Sequence, residues 1–355
     1  MASNRVSELS SHSSNLLHDG VGTDPGIGRL KSLDVVLTLL RTYQAQPRLA
    51  HASRSNRRDG DFSIMWSTFG QPTGAKRCHN GDVASIASAE AESKSRILRE
   101  LTTYFLLAYG MSLVLWLPVL IGGRVSPAFL SLGTAGPTFA ALVTHRVFER
   151  NWRAVRIWSP LPDLLTGIAM GGLAVLTAAF IAAFFMTKSG IDRWQWSSLI
   201  QILTLFIPNL AGGPLGEEAG WRGFALPRLQ RRFNPVTSSL LLGFLWASWH
   251  LPLIVARVYN VAWWQFTVMT MAASVFLSLG FNRSGGSTLC AVIVHGLYNV
   301  ATGVILNDMI GKATLYSNTV QHNVLWLAYG GVAVMICIVT RGRLGSRTRT
   351  DGTKC

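Results

Sequence analysis

From residue 101 onward, apolar stretches recur at short intervals, and this pattern constrains the fold more than any other feature of the chain. They lie at Leu101–Ile121, Pro127–Thr144, Leu164–Met186, Ser197–Gly213, Val236–Ala256, Trp263–Phe281, Ser287–Leu306 and Val324–Thr340. A helix needs about 20 residues to cross a hydrocarbon core of ~30 Å, and each stretch is near that length, with two or three at the short end. Backbone polar groups find no partner in lipid, so open sheet edges are not viable and helices are expected throughout. The expected fold is all-α, a polytopic membrane bundle of about eight transmembrane helices.

Charge supports this arrangement. Charged residues make up only 14% of the chain, where soluble domains average about 25%. The net charge of +15 raises the question of a nucleic-acid partner. The distribution of the basic residues answers it. With the N-terminus inside, one side receives Lys94, Arg96, Arg99, Arg146, Arg150, Arg153, Arg156, Arg228, Arg231, Arg232, Arg283, Arg341, Arg343, Arg347 and Arg349. The other receives Arg124, Lys188, Arg193, Arg257 and Lys312. Basic loops stay cytoplasmic, so eight spans with both termini cytoplasmic are expected. The partner for most of this charge is then the lipid bilayer, and no nucleic acid is implied.

Residues 1–98 differ in kind. They hold 12 Lys/Arg and 9 Asp/Glu with many Ser, Gly and Asn. They are expected to form a disordered, dispensable polar tail, ahead of a membrane domain at 99–341 and a basic cytoplasmic tail at 342–355. No basic segment followed by an apolar one opens the chain, so no cleavable secretory signal is expected, and Met65 is an alternative start. Cys78, Cys290, Cys337 and Cys355 show no CxxC or Cys/His zinc spacing and imply no disulfide framework.

Residues 99–355 contain only eight acids, and six of them fall in loops or at span ends. The other two, Glu217 and Glu218, are adjacent at the close of the fourth apolar stretch, while His250 and His295 lie inside later ones. Ionisable groups in a membrane are costly and face a cavity or a partner, so these groups form a candidate site. Glu218 and Arg222 are four apart, a pairing distance on a helix. His295 and Asn299 likewise share a helical face. Two neighbouring carboxylates do not both ionise readily at low dielectric, and Arg222 is expected to hold one charged and leave the other as a base. Trp246 and Trp249 read as packing or interfacial residues, and Gly212–Gly213, Pro214 and Gly285–Gly286 as places where the backbone turns.

The ordered set Glu217-Glu218-x-x-x-Arg222, Trp246-x-x-x-His250 and His295-x-x-x-Asn299 resembles the CPBP family of intramembrane endopeptidases, which includes Rce1-type CAAX prenyl endopeptidases and bacterial bacteriocin-processing or immunity proteins. The resemblance covers about residues 101–340. It departs at Trp246, where many members have Phe, although an aromatic wall is kept. It implies an enzyme in which Glu217 and His250 activate a water, His295 and Asn299 stabilise the oxyanion, and Glu218 and Arg222 orient the first pair. The implied partner is a membrane-anchored protein or peptide, prenylated CaaX in a eukaryote or a leader peptide in a bacterium. No cofactor is required, and a zinc-binding variant remains as an alternative. Two other classes remain open, a non-proteolytic scaffold, immunity or regulatory protein and a proton-coupled transporter, and the oligomeric state is left open.

Overall fold

The structure, a computed structural model, describes residues 80–123, 127–150, 155–188, 196–259, 261–310 and 315–346. All regular elements among them are helical: α1 (Asn80–Leu120), α2 (Pro127–Gly133), α3 (Gly136–Glu149), α4 (Leu161–Lys188), α5 (Trp196–Gly212), α6 (Pro214–Glu218), a π-helix (Ala219–Ala225), α7 (Leu226–Gln230), α8 (Pro235–Val255), α9 (Trp263–Arg283), α10 (Thr288–Ile310) and α11 (Leu315–Val339).

Among the described residues, four segments are long and apolar enough to cross a membrane, Ala91–Leu120, Leu161–Met186, Pro235–Val255 and Trp263–Arg283, and two shorter apolar helices cover Thr288–Gly303 and Asn323–Val339. Leu106, Phe180, Ile207 and Ile338 are 71%, 72%, 69% and 66% exposed. So much apolar side chain facing outward is untenable in water and natural against lipid tails. The chain is a polytopic helical membrane protein.

Two boundaries differ from the sequence expectation. The second apolar stretch is split by a turn at Thr134–Ala135. Ser112 donates to the Gly133 carbonyl at 2.7 Å and Trp116 to that of Leu130 at 3.1 Å, pinning the break against α1. The polar tail expected through residue 98 also ends earlier. Asn80 already opens α1, and Arg96 and Glu100 form an i,i+4 pair within it at 3.0 Å. Helix propensity continues through the Ala, Glu, Lys and Arg of this segment although hydropathy does not. The rest of the expected tail, residues 1–79, and the end of the C-terminal tail, residues 347–355, lie outside the described residues.

Helix α9 is the axis of the bundle, packed by α8, α4, α11 and α10. Its residues Ala272 to Phe281 are all buried, with Ala272, Ala273, Ser274, Ser278 and Gly280 keeping it slim. A Cβ on Gly167 of α4 would lie 2.5 Å from the Gly280 carbonyl oxygen. Small residues that let backbones approach this closely are how membrane helices gain packing without a hydrophobic drive. Gly285 and Gly286, both at positive φ, make the sharp turn from α9 to α10.

At one end of the bundle, Glu100 accepts hydrogen bonds from Arg96 and from Arg228 of α7 at 2.6 Å, and Arg96 reaches Glu149 of α3 at 2.5 Å. This cluster ties α1, α3 and α7 together below the site.

Candidate active site

Helix α5 ends at Gly212, and α6 begins with Pro214, whose fixed φ and missing N–H suit a first turn. Glu217 and Glu218 close that short helix, and successive residues on a helix point about 100° apart. The two carboxylates therefore take different surroundings. Glu217 lines a cavity of about 470 Å³ together with Trp246, His250, His295 and Asn299. Glu218 points back into the protein and is fully buried, as is Arg222.

The π-helix Ala219–Ala225 carries Arg222. π-Helical turns are rare and cluster at functional sites. Here two close approaches surround the segment: a Cβ on Gly220 would lie 2.4 Å from the Pro137 oxygen, and one on Gly223 2.6 Å from Val155 Cγ1. Arg222 Nη1 donates to Glu218 Oε1 at 2.8 Å, and His295 Nδ1 meets the same oxygen at 2.7 Å. A carboxylate oxygen accepts, so the His295 proton sits on Nδ1.

On α8, His250 Nδ1 lies 2.9 Å from the Trp246 carbonyl oxygen. A carbonyl only accepts, so Nδ1 carries the proton and Nε2 keeps its lone pair. Trp246 Nε1 donates to Glu217 Oε2 at 2.7 Å. The other oxygen of Glu217 borders Gly213, where a Cβ would lie 3.0 Å from Oε1. A chain of tilted and edge-on aromatic contacts runs Trp116–Trp249–Trp221–Tyr104, with ring centroids 4.7, 5.7 and 5.8 Å apart.

The seven residues singled out from the sequence thus come together. One of the expected arrangements is corrected. Glu218 was expected to orient Glu217 and His250, but its hydrogen-bond partners are Arg222 and His295. It serves the other histidine because its helical direction turns it away from the cavity. Trp246 lines the cavity as an aromatic wall and also makes a polar contact through its indole nitrogen. Trp249 does pack, edge-on to His250 at 4.6 Å.

Other cavity residues carried weaker signals in the sequence. Asn209 sits in apolar α5, and its Oδ1 is buried without a hydrogen-bond partner among the described residues. Its polarity within an apolar stretch was the available clue. Tyr259, in the α8–α9 connection, stacks on Phe266 at 5.9 Å and approaches His250 at 5.8 Å. Nothing in a loop tyrosine distinguishes such a role. Zinc takes three or four protein donors. Among the described residues no group of three His, Cys, Asp or Glu is arranged to hold a metal.

Residues 196–301 match the family model described as type II CAAX prenyl endopeptidase Rce1-like. That span contains all three motifs. A CAAX prenyl protease 2 of Methanococcus maripaludis is 27% identical over 154 residues, which cover 40% of this chain and 55% of that protein. The chain thus spans about half the length of this curated relative. The likeness to the CPBP family read from the motifs is shared by both comparisons.

Proposed function

Since residues 196–301 are an Rce1-like segment, we propose that this protein is an intramembrane endopeptidase that hydrolyses a peptide bond of a membrane-anchored substrate with a water activated by Glu217 and His250. The observation that carries this reading is the convergence on one cavity of a carboxylate oxygen beside Gly213 and a histidine whose Nδ1 is already committed to a backbone carbonyl. Both groups can accept a proton from a water between them, the task of a general base.

In this scheme the water oxygen attacks the scissile carbonyl as Glu217 takes its proton. The carbonyl oxygen gains the negative charge and is met by donors from His295 and the Asn299 amide. With Nδ1–H given to Glu218, His295 donates to the oxyanion only through a second proton on Nε2. Collapse of the intermediate breaks the C–N bond, and the proton held by Glu217 passes to the leaving amine. No Ser or Cys nucleophile is required. Asn209 is placed to accept a backbone N–H from the substrate.

The name of the archaeal relative favours a prenylated C-terminal CaaX peptide over a leader peptide as substrate class. Both termini are assigned to the cytoplasm by the excess of basic residues on one side.

The test is cleavage of a farnesylated and an unprenylated CaaX peptide by the purified protein in liposomes, followed by mass spectrometry with and without a chelator. Release of the terminal tripeptide, unaffected by chelation, is expected. A folded protein that cleaves neither this peptide nor a membrane-anchored peptide library would return the scaffold alternative, and loss of activity on chelation would establish the metallo-variant.

A further inference from the structure

Trp246 touches Glu217, His250, Arg222 and His295. Its indole N–H donates to Glu217 Oε2 at 2.7 Å, and its carbonyl oxygen receives the His250 Nδ1 proton at 2.9 Å. The Arg222 guanidinium carbon lies 4.5 Å from the centre of its ring, and the His295 ring meets it edge-on at 4.9 Å with an interplanar angle of 84°. The side chain is 3% exposed. A buried indole N–H needs a partner, and here that partner is the carboxylate read as the base.

We propose that Trp246 is the positioning residue of the site, and that its indole N–H holds Glu217 by one oxygen so that the other is presented to the water. The proposal rests on the hydrolytic reading above and adds a residue that acts through Glu217 without touching the reacting atoms. A carboxylate on a three-torsion side chain has several rotamers, and fixing Oε2 removes most of them. Oε1 is then left beside Gly213, where the absence of a Cβ keeps it open. The same residue fixes the second basic group, because the Trp246 carbonyl selects the His250 tautomer with a lone pair on Nε2. One rigid, two-torsion side chain and its own backbone thus set both proton acceptors in register. Arg222 strengthens the arrangement. A cation over an indole face draws electron density from the ring and makes its N–H a better donor. The Glu218–Arg222–His295 triad is thereby linked to Glu217 through the indole, with no direct hydrogen bond between the two carboxylates.

A purely packing role for Trp246 needs the ring and not the nitrogen. The two are separated by benzothienylalanine at position 246, which keeps the ring size and the face toward Arg222 but has sulfur in place of N–H, and by Trp246→Phe. Both are expected to lower kcat by about 10–100-fold, the cost of a small misplacement of a catalytic group, with KM within about twofold. Retention of full kcat by the benzothienyl protein would overturn the proposal. The hydrogen bond itself is read without activity, in protein carrying ¹⁵N-indole tryptophan. The Trp246 N–H resonance is assigned by its loss in Trp246→Phe, and Glu217→Ala is expected to move its proton upfield. An unmoved resonance would remove the bond whether or not the enzyme turns over. An inactive wild type with a shifted resonance would instead condemn the hydrolytic reading and leave the contact standing.

Discussion

The bundle contains two clusters of carboxylates and cations, and they are built for different ends. At the end of the bundle, Glu100 gathers Arg96 and Arg228, and Arg96 reaches on to Glu149. The Arg96 side chain is 45% exposed. In the site, the Glu218–Arg222 pair is fully buried, and a second carboxylate, Glu217, adjoins it with no ion pair of its own among the described residues. The first cluster joins three helices. The second holds one acid back as an ion pair so that its neighbour can face a cavity. Burial alone does not distinguish the proposed catalytic cluster, because Glu100 is buried too. A carboxylate held by an uncharged donor, with one oxygen turned to a cavity, marks it.

The comparison breaks most readily at Glu217. Glu217→Gln, or His250→Ala, is expected to abolish turnover in a liposome cleavage assay while melting and gel-filtration behaviour stay as in the wild type. A Glu217→Gln protein that still cleaves would return both clusters to a structural role. Asn299→Ala is expected to slow kcat by about 10²–10³-fold, the cost of one oxyanion donor, with KM little changed because that contact strengthens only in the transition state.

Arg222→Ala sharpens the contrast between the clusters. It leaves Glu218 and His295 buried without their cation, a loss of about 3–5 kcal/mol, and should depress purified yield and melting temperature along with rate. Arg96→Ala removes a half-exposed partner of Glu100 while Arg228 remains. Its expected cost is at most about 1 kcal/mol, with kcat unchanged. Thermal melts of the two variants in one detergent would test the ranking, and equal losses would contradict it.

The helices and the members of the site were legible because an apolar chain makes each exception conspicuous. Eight acids in residues 99–355 leave few candidates, and Glu217 and Glu218 are the adjacent pair, with Arg222 at helical spacing and with His250 and the His295–Asn299 pair inside later apolar stretches. The wiring was not legible. Which of two adjacent carboxylates faces the cavity depends on the phase of a five-residue helix running into a π-helix, and no periodicity reports that phase. Trp246 reads as apolar area in a sequence, since its N–H acquires meaning only when a carboxylate from another element arrives opposite. The early start of α1 was hidden for a different reason. Low hydropathy does not mean the absence of helix, because Ala, Glu, Lys and Arg favour helix without favouring lipid. The break at Thr134–Ala135 follows from the close packing of Gly133 on Trp116, a contact between residues 17 apart that local pattern does not carry.

Direct attack by water, with Glu217 as base and not as nucleophile, is the claim on which the account turns. Single-turnover cleavage in H₂¹⁸O, with enzyme in excess over a membrane-anchored peptide, tests it by mass spectrometry of both product and protein. The account predicts one ¹⁸O in the new C-terminal carboxylate of the product and none in the peptide bearing Glu217 and Glu218. An unlabelled product, with ¹⁸O on Glu217, would show an acyl-enzyme and contradict it.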